Sequence, residues 1–246
     1  MSFAAHNPDV QETIAGLQAQ GIHSLLVQFA DVHGVGKGKL VPVSKLADWV
    51  ATGAGFAGPS IWGTGLPRLG ERSEYYGRVQ LGSIRPLPFM PGVAHAVCNG
   101  FAAGQPLQTC SRQVLKKQTD ALAERGLTLW VGVEPEFFLL KKGQDGRWAV
   151  ADRQDDLSKP SYDLRAIYRH QDCLEDMRAT LTALGFELEQ MDHEDANGQY
   201  EINYRFDDAL AAADRYMLFK LAAYAVAEKH GLTFSTMPKP FANAPG

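Results

Sequence analysis

The chain has 246 residues, enough for one large domain or two modest ones. It is 45% hydrophobic and 21% charged with a formal net charge of −4, an ordinary globular composition without the basic footprint of a nucleic-acid binder. Cys98, Cys110 and Cys173 are odd in number and far apart, so they offer neither a disulfide framework nor zinc spacing, and they fit a reducing cytoplasm. Residues 1–8 carry no basic segment and no long apolar core, so no signal peptide is expected. No run approaches the length of a membrane span.

In chain order, Asp9 to Gln20 places Val10, Ile14 and Leu17 at helical spacing, and Gly21 stops the helix. Ser24–Phe29 reads as a strand, and the Gly-rich stretch Ala30–Val43 as a turn into a second strand, a hairpin. The Gly34–Lys39 segment lacks the spacing of a phosphate-binding loop, so exposed lysines on a hairpin turn are the better reading. Residues 44–51 suggest a short helix. Thr52–Gly70, crowded with Gly, Pro and small residues, suggests a structureless functional loop or lid. Residues 77–103 alternate short apolar runs with Pro and Gly, as small sheet strands do, with Arg85–Pro91 as a rigid connector.

The texture changes after residue 110. Arg112–Arg125 reads as a helix with Val114, Leu115, Ala121 and Leu122 inward, stopped by Gly126. Residues 127–140 read as one buried strand carrying Glu134 and Glu136 at i and i+2, hence on one face. Lys141–Lys159 is a polar hairpin tip and surface loop. Leu164–Leu184 reads as one long helix ended by Gly185, and Phe186–Met191 as a strand. Asn197-Gly198 then turns the chain, so Glu194 ends one strand and Glu201 lies on its return. Asp208–His230 is a helix with Leu210, Ala213, Met217, Leu221 and Tyr224 inward, and Thr233–Met237 a last strand.

Two like charges on one face of an apolar strand repel and lose hydration, a cost of roughly several kcal/mol per ion without compensation. A divalent cation is the simplest remedy, and oxygen-only ligands suit Mg²⁺ or Mn²⁺. A solvated edge strand bearing two surface glutamates is the alternative. For Phe206, a core aromatic is the reading from the residue alone. His193 reads as a hydrogen-bonded support beside Glu194.

Glu134-Pro135-Glu136-Phe137-Phe138, His193-Glu194, Gln199-Tyr200-Glu201 and Lys239-Pro240-Phe241, in this order and spacing, resemble glutamine synthetases. Cys110-Ser111-Arg112 with Leu115-Lys116 resembles the start of that family's catalytic domain. Phe56-Ala57-Gly58-Pro59-Ser60-Ile61 resembles the loop that its N-terminal domain lends to a neighbouring subunit's site. The wording is most similar to the branch of γ-glutamylmethylamide synthetases, or glutamate–methylamine ligases.

The resemblance implies an α+β fold: a small β-grasp N-terminal domain over 1–105, then over 106–246 the first part of a catalytic domain with a curved antiparallel sheet and flanking helices. It implies ring-shaped homo-oligomers, usually dodecamers. It also implies a ligase that phosphorylates glutamate with ATP and lets a small amine displace phosphate from γ-glutamyl phosphate.

By family position, Glu136, Glu194 and Glu201 would hold a first Mg²⁺ or Mn²⁺, with Glu194 and Glu201 counted as catalytic, and Glu134 would hold a second. Glu189 would face the ATP phosphates, Phe206 would pack on adenine, and Gly246 would meet the head of the glutamate substrate. Ammonia-using members carry an Asp where this chain has Ala57, so methylamine or another small alkylamine is the expected acceptor. An ammonia-using glutamine synthetase and an inactive metal-binding or regulatory module are the alternatives. Family members continue past the position of Gly246 into further metal and phosphate ligands, so a chain ending there is expected to be incomplete and to turn over little ATP.

Overall fold

The computed structural model describes residues 9–70 and 72–246; the reading of residues 1–8 lies outside them. The chain divides into two compact units, one ending at Leu129 and the other running Trp130–Gly246. Among the described residues no helix is long and apolar enough to cross a membrane.

In the first unit, helix α1 (Val10–Ala19) starts where the Asp9 carboxylate accepts from the Gln11 amide at 2.8 Å. The hairpin β1 (Ser24–Ala30) and β2 (Gly36–Pro42) follows. Its turn is held by Asp31, which accepts from the His33 and Val35 amides, with Lys37 paired to it at 3.6 Å. Next come α2 (Leu46–Ala51), β3 (Ala54–Ala57), β4 (Glu74–Val79), β5 (Arg85–Pro86), β6 (Val93–Ala102), β7 (Gln105–Pro106) and α3 (Ser111–Ala123).

The sheet order is β2-β1-β6-β4-β3, with β1 and β6 parallel and the other pairs antiparallel. The expected loop 52–70 is therefore partly strand: Ala54–Ala57 pairs with Glu74–Gly77. Leu25, Val27, Val41, Leu46 and Ala96 form the main core under α1 and α2. On the other face of this sheet His95 is also buried, 2.6 Å from Gln28 Oε1, with Nδ1 lacking a hydrogen-bond partner. No residue of α3 is buried, and Val114, expected inward, is exposed.

The second unit comprises β8 (Trp130–Val131), β9 (Glu136–Lys142), β10 (Trp148–Val150), α4 (Leu164–Arg169), α5 (Gln171–Ala183), β11 (Leu188–His193), β12 (Gln199–Tyr204), β13 (Asp207–Asp208), α6 (Ala209–Lys229) and β14 (Thr233–Ser235). Its main sheet is antiparallel, in the order β10-β9-β12-β11 with β14 also on β9.

Three expectations are corrected here. The strand over 127–140 is two pieces separated by residues 132–135, where Pro135 has no amide to give a ladder, and Glu134 and Glu136 are exposed rather than buried. The helix over 164–184 is broken at His170, whose Nδ1 meets the Tyr200 hydroxyl at 2.9 Å. Helix α6 buries Ala212, Leu218, Phe219, Ala222, Ala223, Val226 and Ala227 instead of the expected stripe, and Tyr224 is half exposed. Small alanines let the helix lie close to the sheet, a gain that side-chain size alone does not signal.

Glycines at positive φ (Gly21, Gly126, Gly185 and Gly231) follow the ends of α1, α3, α5 and α6. All three cysteines are free and buried.

Candidate active site

Strand alternation sorts the second unit's sheet into two faces. Phe137 on β9 and Tyr200 and Tyr204 on β12 lie on one, packed with Phe219 of α6 and Phe234 of β14. The opposite face is polar along one line. Asp192 of β11 stands across from Glu201 of β12, and Glu201 across from Glu136 of β9. Directly opposed residues in antiparallel pairs have Cβ atoms about 4.5–5.5 Å apart, so three carboxylates form a transverse row. Glu194, just past β11, joins it: carboxylate oxygens of Asp192, Glu194 and Glu201 lie within 4.8 Å of one another.

The electrostatics match that crowding. Burial, reinforced by a hydrogen bond and repulsion from Glu194, pushes the Glu201 carboxyl up to about 7, although Asn203 opposes the shift. Asp192 is raised by burial and by Glu194. Glu136 is raised by partial burial and then by Glu194, Asp195, Glu134 and Asp192. One oxygen of Asp192 is buried without a hydrogen-bond partner. An oxygen-only donor set with an unpaired, buried carboxylate atom fits a hard divalent cation such as Mg²⁺ or Mn²⁺.

A cleft of about 220 Å³ opens beside the row, lined by Glu134, Glu136, Phe138, Gln199, Tyr216 and Gly246 among others. It brings Glu134, Glu136 and Gly246 to one place. The last residue, Gly246, sits so close to the Pro238 carbonyl that a Cβ would lie 2.0 Å from it. Gln199 ties the cleft to the turn: it donates to Glu136 at 2.5 Å and accepts from the Ala196 amide at 3.0 Å.

Two expected residues stand apart from this cluster in character. Glu189 is exposed where the β11–β12 register shifts between Leu188 and Gln190. Phe206 is no core aromatic; it is 53% exposed, with its ring edge-on to Trp130 at 5.7 Å. Asp192 was not among the expected residues. Its signal is parity: it lies two residues before Glu194 in an alternating strand.

His193 points to the other side and is fully buried. Its Nδ1 lies 2.9 Å from the Glu194 carbonyl and its Nε2 2.7 Å from the Asp155 carboxylate. The Glu194 carbonyl and the Asp155 carboxylate are acceptors, an arrangement that favours the protonated ring donating from both nitrogens. Burial alone would lower its pKa, but the hydrogen bond and charge of Asp155 outweigh that and raise it. Burial would likewise raise Asp155, but hydrogen bonds from His193, Asn197 and Gly198 hold it below the usual carboxylate range.

Residues 108–246 match the family described as glutamine synthetase, catalytic domain. The sheet, its acidic face and that match define the class: the chain belongs to the glutamine synthetase family. Among its relatives, a glutamate–methylamine ligase from Methyloversatilis universalis is 42% identical over 230 residues, covering 94% of this chain and 52% of the relative. A glutamine synthetase from Rhizobium meliloti is 37% identical over 227 residues, covering 92% and 51%. A solved GmaS/ADP complex superimposes with a TM-score of 0.88 at 37% identity, covering 95% of this chain and 53% of that one. The chain spans about half the length of the curated relatives it matches.

Proposed function

We propose that this chain belongs to an ATP-dependent ligase that joins glutamate to a small amine, methylamine, through γ-glutamyl phosphate. The observation that carries the reading is the carboxylate row Asp192–Glu201–Glu136, with Glu194 beside it and a cleft carrying Glu134 alongside. Phosphoryl transfer asks the protein for positioning and charge neutralisation more than for covalent chemistry. Glu136, Glu194 and Glu201 would hold one Mg²⁺ or Mn²⁺ and Glu134 a second, with Asp192 as an added oxygen donor. Such cations, when bound, neutralise charge on the phosphoryl oxygens. The exposed ring of Phe206 supplies a flat apolar surface for adenine, Glu189 borders the nucleotide phosphates, and Gly246 lines the cleft for glutamate.

Ala57, exposed at the end of β3, offers no carboxylate as an anionic seat for ammonium, which favours an alkylated amine. The likeness to a glutamate–methylamine ligase supports the same choice. The mixed sheet of the first unit, with its parallel β1–β6 pair, supports a β-grasp assignment over 1–105, with the catalytic portion over 106–246. A ring-shaped homo-oligomer and a cytoplasmic location complete the reading, the latter supported by three unpaired cysteines.

The test is competition. Full-length protein is given glutamate, ATP and either ammonia, methylamine or ethylamine, and the amide formed is weighed. A higher kcat/KM for methylamine is expected; a clear preference for ammonia makes it a glutamine synthetase instead.

A further inference from the structure

The turn that carries Glu194 is held from behind by a residue with no place in the acidic row. Asp155 lies in the loop after β10 and is 4% exposed. Its carboxylate accepts three hydrogen bonds spread around the β11–β12 turn: from His193 Nε2 at 2.7 Å, from Asn197 Nδ2 at 3.1 Å and from the Gly198 amide at 2.5 Å. The His193 ring continues inward by donating to the Glu194 carbonyl at 2.9 Å. Asn197 also donates to the Leu157 carbonyl, which fastens the turn to the loop at a second point. The other end of the turn is bound to Glu136 through Gln199.

We propose that Asp155 is a positioning residue for the carboxylate cluster: it clamps His193, Asn197 and Gly198 into one turn and so fixes where Glu194 stands relative to Glu201 and Asp192. The proposal rests on reading that cluster as a cation site. Oxygen ligands of a divalent cation must meet at one point, and Glu194 is the member of the row that lies outside any strand. One backbone bond continues the ladder to it, from the Glu194 amide to the Gln199 carbonyl at 3.0 Å, and the clamp fixes the residues on both sides of that bond. Groups that orient ligands in this way typically change metal affinity by about 10–100-fold when removed.

The experiment is Mn²⁺ titration of the full-length protein, followed by the spin-resonance signal of free Mn²⁺. Wild type, Asp155→Asn, Glu194→Gln and the double variant are compared, each with a melting curve in chelator. Asp155→Asn keeps the shape but turns one acceptor into a donor. It is expected to weaken Mn²⁺ binding at least about tenfold. The double variant is expected to bind no more weakly than Glu194→Gln alone, because Asp155 acts through Glu194.

Asn197→Ala, which removes one of the three bonds and leaves the Asp155–His193 pair, is the second variant should Asp155→Asn fail to fold. A same-direction but smaller loss of Mn²⁺ affinity is expected from it. A lower melting temperature with Mn²⁺ affinity within about twofold of wild type, in either variant, overturns the clamp, as do additive losses in the double variant. If wild type takes up no Mn²⁺, the cation reading falls and the clamp with it. If Glu194→Gln weakens binding while both clamp variants do not, the clamp alone falls.

Discussion

Asp192 and Glu201 face each other directly across the β11–β12 ladder, each with its pKa raised. Directly opposed like charges destabilise a sheet, so this hairpin is weaker without a cation than with one. Mg²⁺ or Mn²⁺ should therefore raise the melting temperature in a concentration-dependent way, approaching about 2.7 kcal/mol of added stability at a hundredfold excess over Kd. Scanning fluorimetry across a metal titration, with chelator as baseline, measures it. A flat response would contradict a site at this row.

Glu201→Gln should act in opposite directions on two measurements. In chelator the variant gains about 0.2–1 kcal/mol, because one charge of the opposed pair is gone. With Mn²⁺ present it loses most of the metal-induced stabilisation. Urea melts in both conditions separate this from a generally disruptive substitution, which would lower both curves.

Acid should affect the two units differently in the metal-free protein. Burial, aided by Arg85, lowers His95 to about 4. Its folded-state pKa lies below the ordinary His value, so its stability is present above about 6.5 and drains away as pH falls, by about 2–3 kcal/mol at pH 4.5. Glu201 in the second unit carries the opposite sign. Its raised carboxyl binds a proton more tightly when folded, so that stability is complete below the ordinary Glu range and is lost as pH rises through about 7. Hydrogen exchange followed unit by unit from pH 7.5 to 5 should show protection falling in the first unit and holding or rising in the second.

Gly198 is predicted to be intolerant of a side chain. Its φ is +76°, and a Cβ would lie 2.9 Å from Val150 Cγ1. Gly198→Ala should cost about 1–3 kcal/mol in a urea melt. Wild-type stability in that variant would mean the turn has another conformation available.

Much of the second unit is readable from residue order. The alternation of Gln199, Tyr200, Glu201, Ile202, Asn203 and Tyr204 announces a strand with one polar and one packed face, and Asn197-Gly198 announces its turn. Helix starts at Asp9 and Asp208 are marked by side chains that do accept from the following amides. What order could not show is where tertiary contacts prevail. The break at 132–135 and the interruption at His170 are settled by Pro135 and by a tyrosine hydroxyl thirty residues away in sequence. An aspartate beside His193-Glu194 looks like a solvated strand end until β12 is laid against it. Asp155 lies in a polar loop whose composition says surface, while its three hydrogen bonds put it inside.

The three buried thiols give each unit a built-in reporter. Cys98 and Cys110 lie in the first unit and Cys173 in the second, and burial pushes Cys98 up to about 12 and Cys173 to about 11. All three thiols are buried out of a reagent's reach, so an alkylating reagent at neutral pH modifies these positions only when the surrounding unit opens. Mass mapping of the modified peptides over time would thus clock the opening of each half separately, without any engineered label.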